Sequence, residues 1–107
     1  MITEIVTFKI PEAMSRDQVL ERFRQTAAKW HDNPDLIRKN YLFDSETGVA
    51  GGVYLWPDVP TAKKWHDAAW CKMVEETYGS APEFRYFDTP IVVDNAAAEI
   101  VETRAAE

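Results

Sequence analysis

The sequence predicts an α+β fold of the ferredoxin-like kind: a four-stranded antiparallel sheet with two helices on one face. Three observations carry this expectation. The apolar pattern changes period along the chain in the order β-α-β-β-α-β. Residues 44–48 (DSETG) are turn-rich and separate two consecutive strand patterns, which reads as a hairpin. The chain has 107 residues, enough for one hydrophobic core and not for two. No internal repeat or low-complexity linker divides it, so residues 1–95 are read as the domain and residues 96–107 as an Ala/Glu-rich tail.

Residues 2–10 alternate: Ile2, Val6, Phe8 and Ile10 share one face, and Thr3, Ile5, Thr7 and Lys9 the other. Pro11 ends this strand because it cannot donate to a ladder. Ser15 and Gln18 have capping-box spacing, with Met14 and Val19 placed as a hydrophobic staple. Val19, Leu20, Phe23, Ala27 and Trp30 then form one helical stripe, which Asn33-Pro34 closes. The second strand is expected over residues 36–44 and the third over residues 49–56. Gly51-Gly52 inside the third predicts a bulge or the close approach of another group. Asp58 is the expected N-cap of a second helix running to Gly79, which suits the left-handed C-terminal position. Residues 83–94 read as one long fourth strand, its pairing interrupted at Pro90. Residues 96–107 read as a frayed helix or a loose tail.

Composition removes several functions. Eighteen acidic residues against twelve Lys and Arg give a net charge of −6, with no basic run. Such a chain is poorly suited to nucleic acid or an anionic membrane surface. No stretch approaches a membrane span or a secretory leader, and a cytoplasmic protein is expected. A single Cys71 excludes an intramolecular disulfide and a cysteine-built zinc site. His31 and His66 stand far apart, so no metal site is expected. No phosphate-binding glycine loop and no nucleophile elbow is present.

The strands carry too much apolar surface for a sheet with one wet face. The third has Val49, Val53 and Leu55 on one side and Ala50, Tyr54 and Trp56 on the other. Two helices cover one face only. Leaving about 400 Å² of apolar sheet wet forfeits about 10 kcal/mol at ~25 cal/mol per Å², comparable to a domain's whole net stability. A homodimer joined sheet to sheet is therefore expected.

Residues 35–43 (DLIRKNYLF) and 51–56 (GGVYLW), with the opening ITEIVTFKIPEAMSRDQVL, resemble the antibiotic-biosynthesis monooxygenase superfamily and, within it, the YdhR-like monooxygenases. The resemblance spans residues 1–95. It implies a dimeric α/β barrel with a pocket between sheet and helices in each subunit. It also implies a cofactor-independent oxidation of a small aromatic or quinol-like substrate by molecular oxygen, with neither flavin nor metal. An electron-rich substrate anion reduces oxygen itself, while the protein excludes water, holds the anion and manages protons.

Within that frame His66, beside Trp65 and four residues before Trp70, is the candidate general base or proton shuttle. Tyr54, Trp56 and Trp65 would shape the pocket. Arg38 and Asn40 would hold developing negative charge if their strand face lines the pocket, and would be interface hydrogen-bonders if it meets the partner. Glu4 is read as a carboxylate on an edge strand, in water. A Trp on the sheet and a His on the helix also resemble the heme-degrading branch of the superfamily. That branch adds an Asn on the first strand, where this chain has Thr3, Glu4 and Thr7. Heme binding or degradation is one alternative, and a non-enzymatic dimer that binds a small ligand is another.

Overall fold

The computed structural model describes residues 1–103. The chain runs β1 (Ile2–Lys9), α1 (Arg16–His31), β2 (Arg38–Asp44), β3 (Val49–Trp56), α2 (Val59–Trp65), α3 (Ala68–Tyr78), β4 (Glu83–Asp88), β5 (Ile91–Asp94) and β6 (Glu99–Glu102). The first four strands to pair form one antiparallel sheet in the order β2-β3-β1-β4, and β5 and β6 form a separate hairpin. The fold is α+β and ferredoxin-like.

The local signals act as their chemistry demands. Ser15 accepts from the Gln18 amide at 3.2 Å, and the Gln18 side chain accepts from the Ser15 amide at 2.8 Å, closing the capping box of α1. Asp58 caps α2 through the Thr61 amide at 2.8 Å. Gly79 ends α3 at φ 83°, a conformation that a side chain would strain.

Three expectations change. The single second helix is two, because Asp67 accepts from the Trp70 amide at 2.9 Å and caps a new helix. His66 closes α2 outside helical geometry, at φ −105° and ψ 58°. The long fourth strand is also two. The chain leaves the main sheet at Thr89-Pro90, since proline has no amide for the ladder, and the Thr89 amide turns back to the Met1 carbonyl at 3.0 Å. The expected helical or loose tail instead supplies β6. Val92 opposes Val101 and Val93 opposes Ile100, and the β-branched residues favour that pairing. The tail's last four residues lie outside the described residues.

Register fixes what faces the helices. Ile2, Glu4, Val6 and Phe8 of β1, and Ala50, Gly52, Tyr54 and Trp56 of β3, are all buried. Lys39, Tyr41 and Phe43 of β2 and Phe84 and Tyr86 of β4 share that side. One core gathers Ile2, Val6, Trp30, Tyr54, Trp56 and Ala62, and a second gathers Phe8, Val19, Phe23, Ala50 and Val74. The opposite face carries Ile5, Leu42, Val53 and Leu55, all only half-buried, and Phe87, which is exposed.

Candidate functional site: a lysine among aromatic rings

Glycine opens the site. Gly51 and Gly52 stay in continuous register with β1 and β2, so there is no bulge. They serve close approach instead. A Cβ on Gly51 would lie 1.8 Å from the Val6 carbonyl oxygen, and φ at Gly51 is 157°. A Cβ on Gly52 would lie 3.0 Å from both Lys39 Cε and Tyr54 Cε1. The missing side chain at Gly52 is the space into which the Lys39 stem folds.

Lys39 stands directly opposite Tyr54 across β2 and β3. Its Nζ lies 3.8 Å from the ring centre of Tyr41, 4.5 Å from that of Tyr54 and 4.7 Å from that of Trp30. Among the described residues no carboxylate pairs with it. Burial brings its pKa down to about 7, the nearby Lys29 charge pushes the same way, and the Glu4 charge opposes both. The rings contribute cation–π attraction, which does not replace the water the amine has lost. Lys39 is thus a buried amine whose charge changes near neutral pH.

The amine borders a cavity of about 140 Å³ between the sheet and helices α1 and α3. Phe23, Trp30, Tyr41, Tyr54 and Trp70 contribute its aromatic walls. Tyr41 stacks on Phe23 at 4.5 Å, and its hydroxyl meets the Thr26 hydroxyl at 2.6 Å, which fixes the ring beside Lys39. Burial raises the Tyr41 and Tyr54 phenols, so both remain neutral hydrogen-bonding groups at physiological pH.

Behind one wall lies a buried polar cluster. Glu4 is fully buried because β1 lies between β3 and β4; it is not the edge strand the sequence reading assigned. The carboxyl accepts from Trp56 Nε1 at 2.9 Å, and His66 Nδ1 lies 2.8 Å from the same oxygen. Tyr86, opposite Glu4 in register, has its phenol pushed up to about 12, by burial first and then by the Glu4 charge. His66 Nε2 has no polar partner among the described residues. The imidazole is packed at 4.1 Å from Trp70 and 4.5 Å from Tyr54.

The residues singled out from sequence therefore separate. Tyr54 lines the cavity. Trp56 and His66 do not; they meet Glu4 behind it, and they pack there against the cavity rings of Trp30, Tyr54 and Trp70. Trp65 donates its indole N–H to Asp35 at 2.9 Å at the edge of the core. Arg38 and Asn40 lie on the far face of the sheet, exposed, and Arg38 reaches Asp94 of the hairpin at 3.6 Å. They cannot stabilise charge in the helix-side cavity. His66 has no exposed side-chain surface, so it offers no open imidazole to a heme iron.

Sequence reasoning misses Lys39 and assigns Glu4 to water, although a signal for each exists. Each puts a charge into the apolar phase of its strand: Ile2-x-Glu4-x-Val6 and Ile37-x-Lys39-x-Tyr41. A charge in that phase must be buried with partners or accept a shifted pKa. Among the described residues no cluster of His, Cys, Asp and Glu could hold a metal ion, and no helix is long and apolar enough to cross a membrane. No family model and no curated protein sequence matches the chain.

Proposed function

We propose that this chain is a cofactor-independent oxygenase of the kind its strand motifs resemble, acting on a single-ring hydroquinone or phenol in the Lys39 cavity. The observation that carries the reading is the caged amine: Lys39 Nζ between the rings of Trp30, Tyr41 and Tyr54, beside a largely aromatic cavity that Arg22, Gln25, Thr26 and Thr77 also line. A cavity of about 140 Å³ suits one benzene-sized ring. With its pKa near 7, Lys39 takes the phenolic proton and then holds the phenolate as an ammonium. The aromatic walls exclude water, which strengthens that contact. The electron-rich anion reduces oxygen. For a hydroquinone the balance is one hydroquinone and one O₂ giving one hydroxyquinone and one water, with no external reductant. His66 and Glu4 act behind the wall, holding Tyr54 and Trp70 in place.

The reading includes a homodimer formed through the open sheet face. Ile5, Leu42, Val53 and Leu55 remain only half-buried there. Phe87, Val93 and Ile100, at 44%, 64% and 68% exposure, add apolar surface around that face and on the hairpin.

Oxygen consumption with a panel of hydroquinones and naphthols tests the activity. Uptake is expected with single-ring hydroquinones, weaker uptake with naphthols, and loss in Lys39→Met. Binding without any uptake would replace the oxygenase with a non-enzymatic ligand-binding protein.

A further inference from the structure

Lys39 has a second capacity, which rests on the placement of the ligand cavity proposed above and not on oxygen chemistry. We propose that Lys39 is a carbonyl-capturing amine that condenses with a small aromatic aldehyde seated in its cavity to form an imine. Three observations support it. Lys39 lines the cavity and no carboxylate pairs with its amine among the described residues, so no ion pair holds it as the ammonium. The rings of Trp30, Tyr41 and Tyr54 surround it at 3.8–4.7 Å and provide flat walls for an aryl group. The cavity's volume matches a single ring with its formyl group directed at the amine.

The step balances without any co-reactant. The nitrogen lone pair attacks the carbonyl carbon, and the carbonyl π pair moves to oxygen. Both N–H protons of the neutral amine leave with that oxygen as water, and a C=N bond replaces the C=O bond. Neither oxidation nor reduction occurs. The Tyr41 hydroxyl, bonded to Thr26 on the ring that faces the amine, is a neutral group able to hydrogen-bond the departing oxygen.

The groups that tune the amine come from every element around it. Lys29 on α1 favours the neutral amine, while Glu4 on β1 favours the ammonium. Tyr41 and Tyr54 stay neutral. Arg22 and Tyr78 also line the cavity. The other lysines, at positions 9, 29, 63, 64 and 72, are exposed and do not line this cavity.

The test is reductive trapping. The full chain is incubated under argon with benzaldehyde and sodium cyanoborohydride, and the adduct is located by peptide mass spectrometry. One benzyl group is expected, on Lys39, formed at least about tenfold faster than on any exposed lysine, because the cavity seats the ring beside Lys39 and beside none of the others. The Lys39 rate should rise through about pH 7. Lys39→Arg should lose the fast adduct. Should that variant fail to fold, the wild-type map still decides. Labelling spread evenly over the exposed lysines, or no adduct on Lys39, overturns the proposal. Because oxygen is absent, trapping at Lys39 succeeds or fails independently of the oxygenase reading. Trapping together with no oxygen uptake in air would retain the amine's role and discard the oxidation.

Discussion

Glu4 and His66 meet at 2.8 Å with neither side chain exposed, one from the central strand β1 and the other from the break between α2 and α3. The contact joins the two layers of the fold at one carboxyl oxygen, which also accepts the Trp56 indole N–H. It explains why a charged residue is tolerated at the middle of the sheet. It also explains what an interrupted helix achieves: His66 turns into the core where α2 ends.

Removing one partner of this cluster should be costly. Glu4→Ala leaves the Trp56 indole buried without its acceptor and takes the carboxyl away from the buried His66 imidazole, and a loss of about 3–5 kcal/mol is expected in urea unfolding. Glu4→Gln retains an oxygen for Trp56 and should lose less, about 1–3 kcal/mol. Equal stability of Glu4→Ala and the wild type would show that the cluster does not hold the layers together.

Lys39 gives stability a definite pH dependence. Its folded pKa is near 7, below the unfolded value of about 10.4. Between these values the unfolded chain binds more protons, so stability rises with pH across that window. Below pH 7 both states are protonated and the full cost of burying the charge is present. Unfolding free energy should rise from pH 7 to pH 10 by an amount on the order of a few kcal/mol. Lys39→Met should remove this rise and be the more stable protein at pH 7. A flat wild-type profile would place the amine in water.

The two adjacent glycines should behave differently. Gly51→Ala drives a methyl into the Val6 carbonyl, at 1.8 Å, and backbone cannot yield cheaply. A loss of about 3 kcal/mol or more is expected. Gly52→Ala meets the flexible end of Lys39 at 3.0 Å. It should cost about 1 kcal/mol and displace the amine, so that ligand affinity falls more than stability. Thermal unfolding with and without a bound hydroquinone separates the two effects.

Arg38 and Asn40 lie across the sheet from the cavity. Arg38→Ala and Asn40→Ala should leave oxygen uptake unchanged, and loss of the exposed Arg38–Asp94 pair should cost no more than about 1 kcal/mol. A large fall in uptake would move the site to the other face.

Sedimentation at micromolar concentration checks the dimer. The wild type should run as two copies, and Phe87→Glu with Val93→Glu should shift it to one, because both positions are exposed in the single chain. A wild type that runs as a single folded copy would remove the sheet-to-sheet interface.

Much of the fold was legible from local chemistry. The capping box at Ser15 and Gln18, the caps at Asp58 and Gly79 and the alternation of β1 all act within a few residues, and sequence shows them directly. Asp67 escapes notice as a second cap because Ala62, Trp65, Ala69, Trp70, Met73 and Val74 continue one helical stripe past it. The split at Pro90 was visible as an interruption, but the change of sheet was not. That change depends on Met1 and Thr103, both distant in sequence.

The candidate site was legible only in part. Tyr54 lines the cavity, and of the two readings open for the glycine pair, bulge or close approach, the structure has the close approach. His66 and Trp56 are expected to face one pocket; the structure instead brings them together on Glu4, the residue assigned to water. The sequence by itself determined the strand and helix periods, the helix caps and the presence of charges in apolar phase. Only the tertiary structure decided which face the helices cover, that β1 is central, and that Lys39 and Glu4 lie beneath those helices. The physical reason is that periodicity divides a strand into two sides without labelling either. Where both sides are apolar, the inner one is chosen by packing between residues far apart along the chain, and that choice sets which charges lose their water.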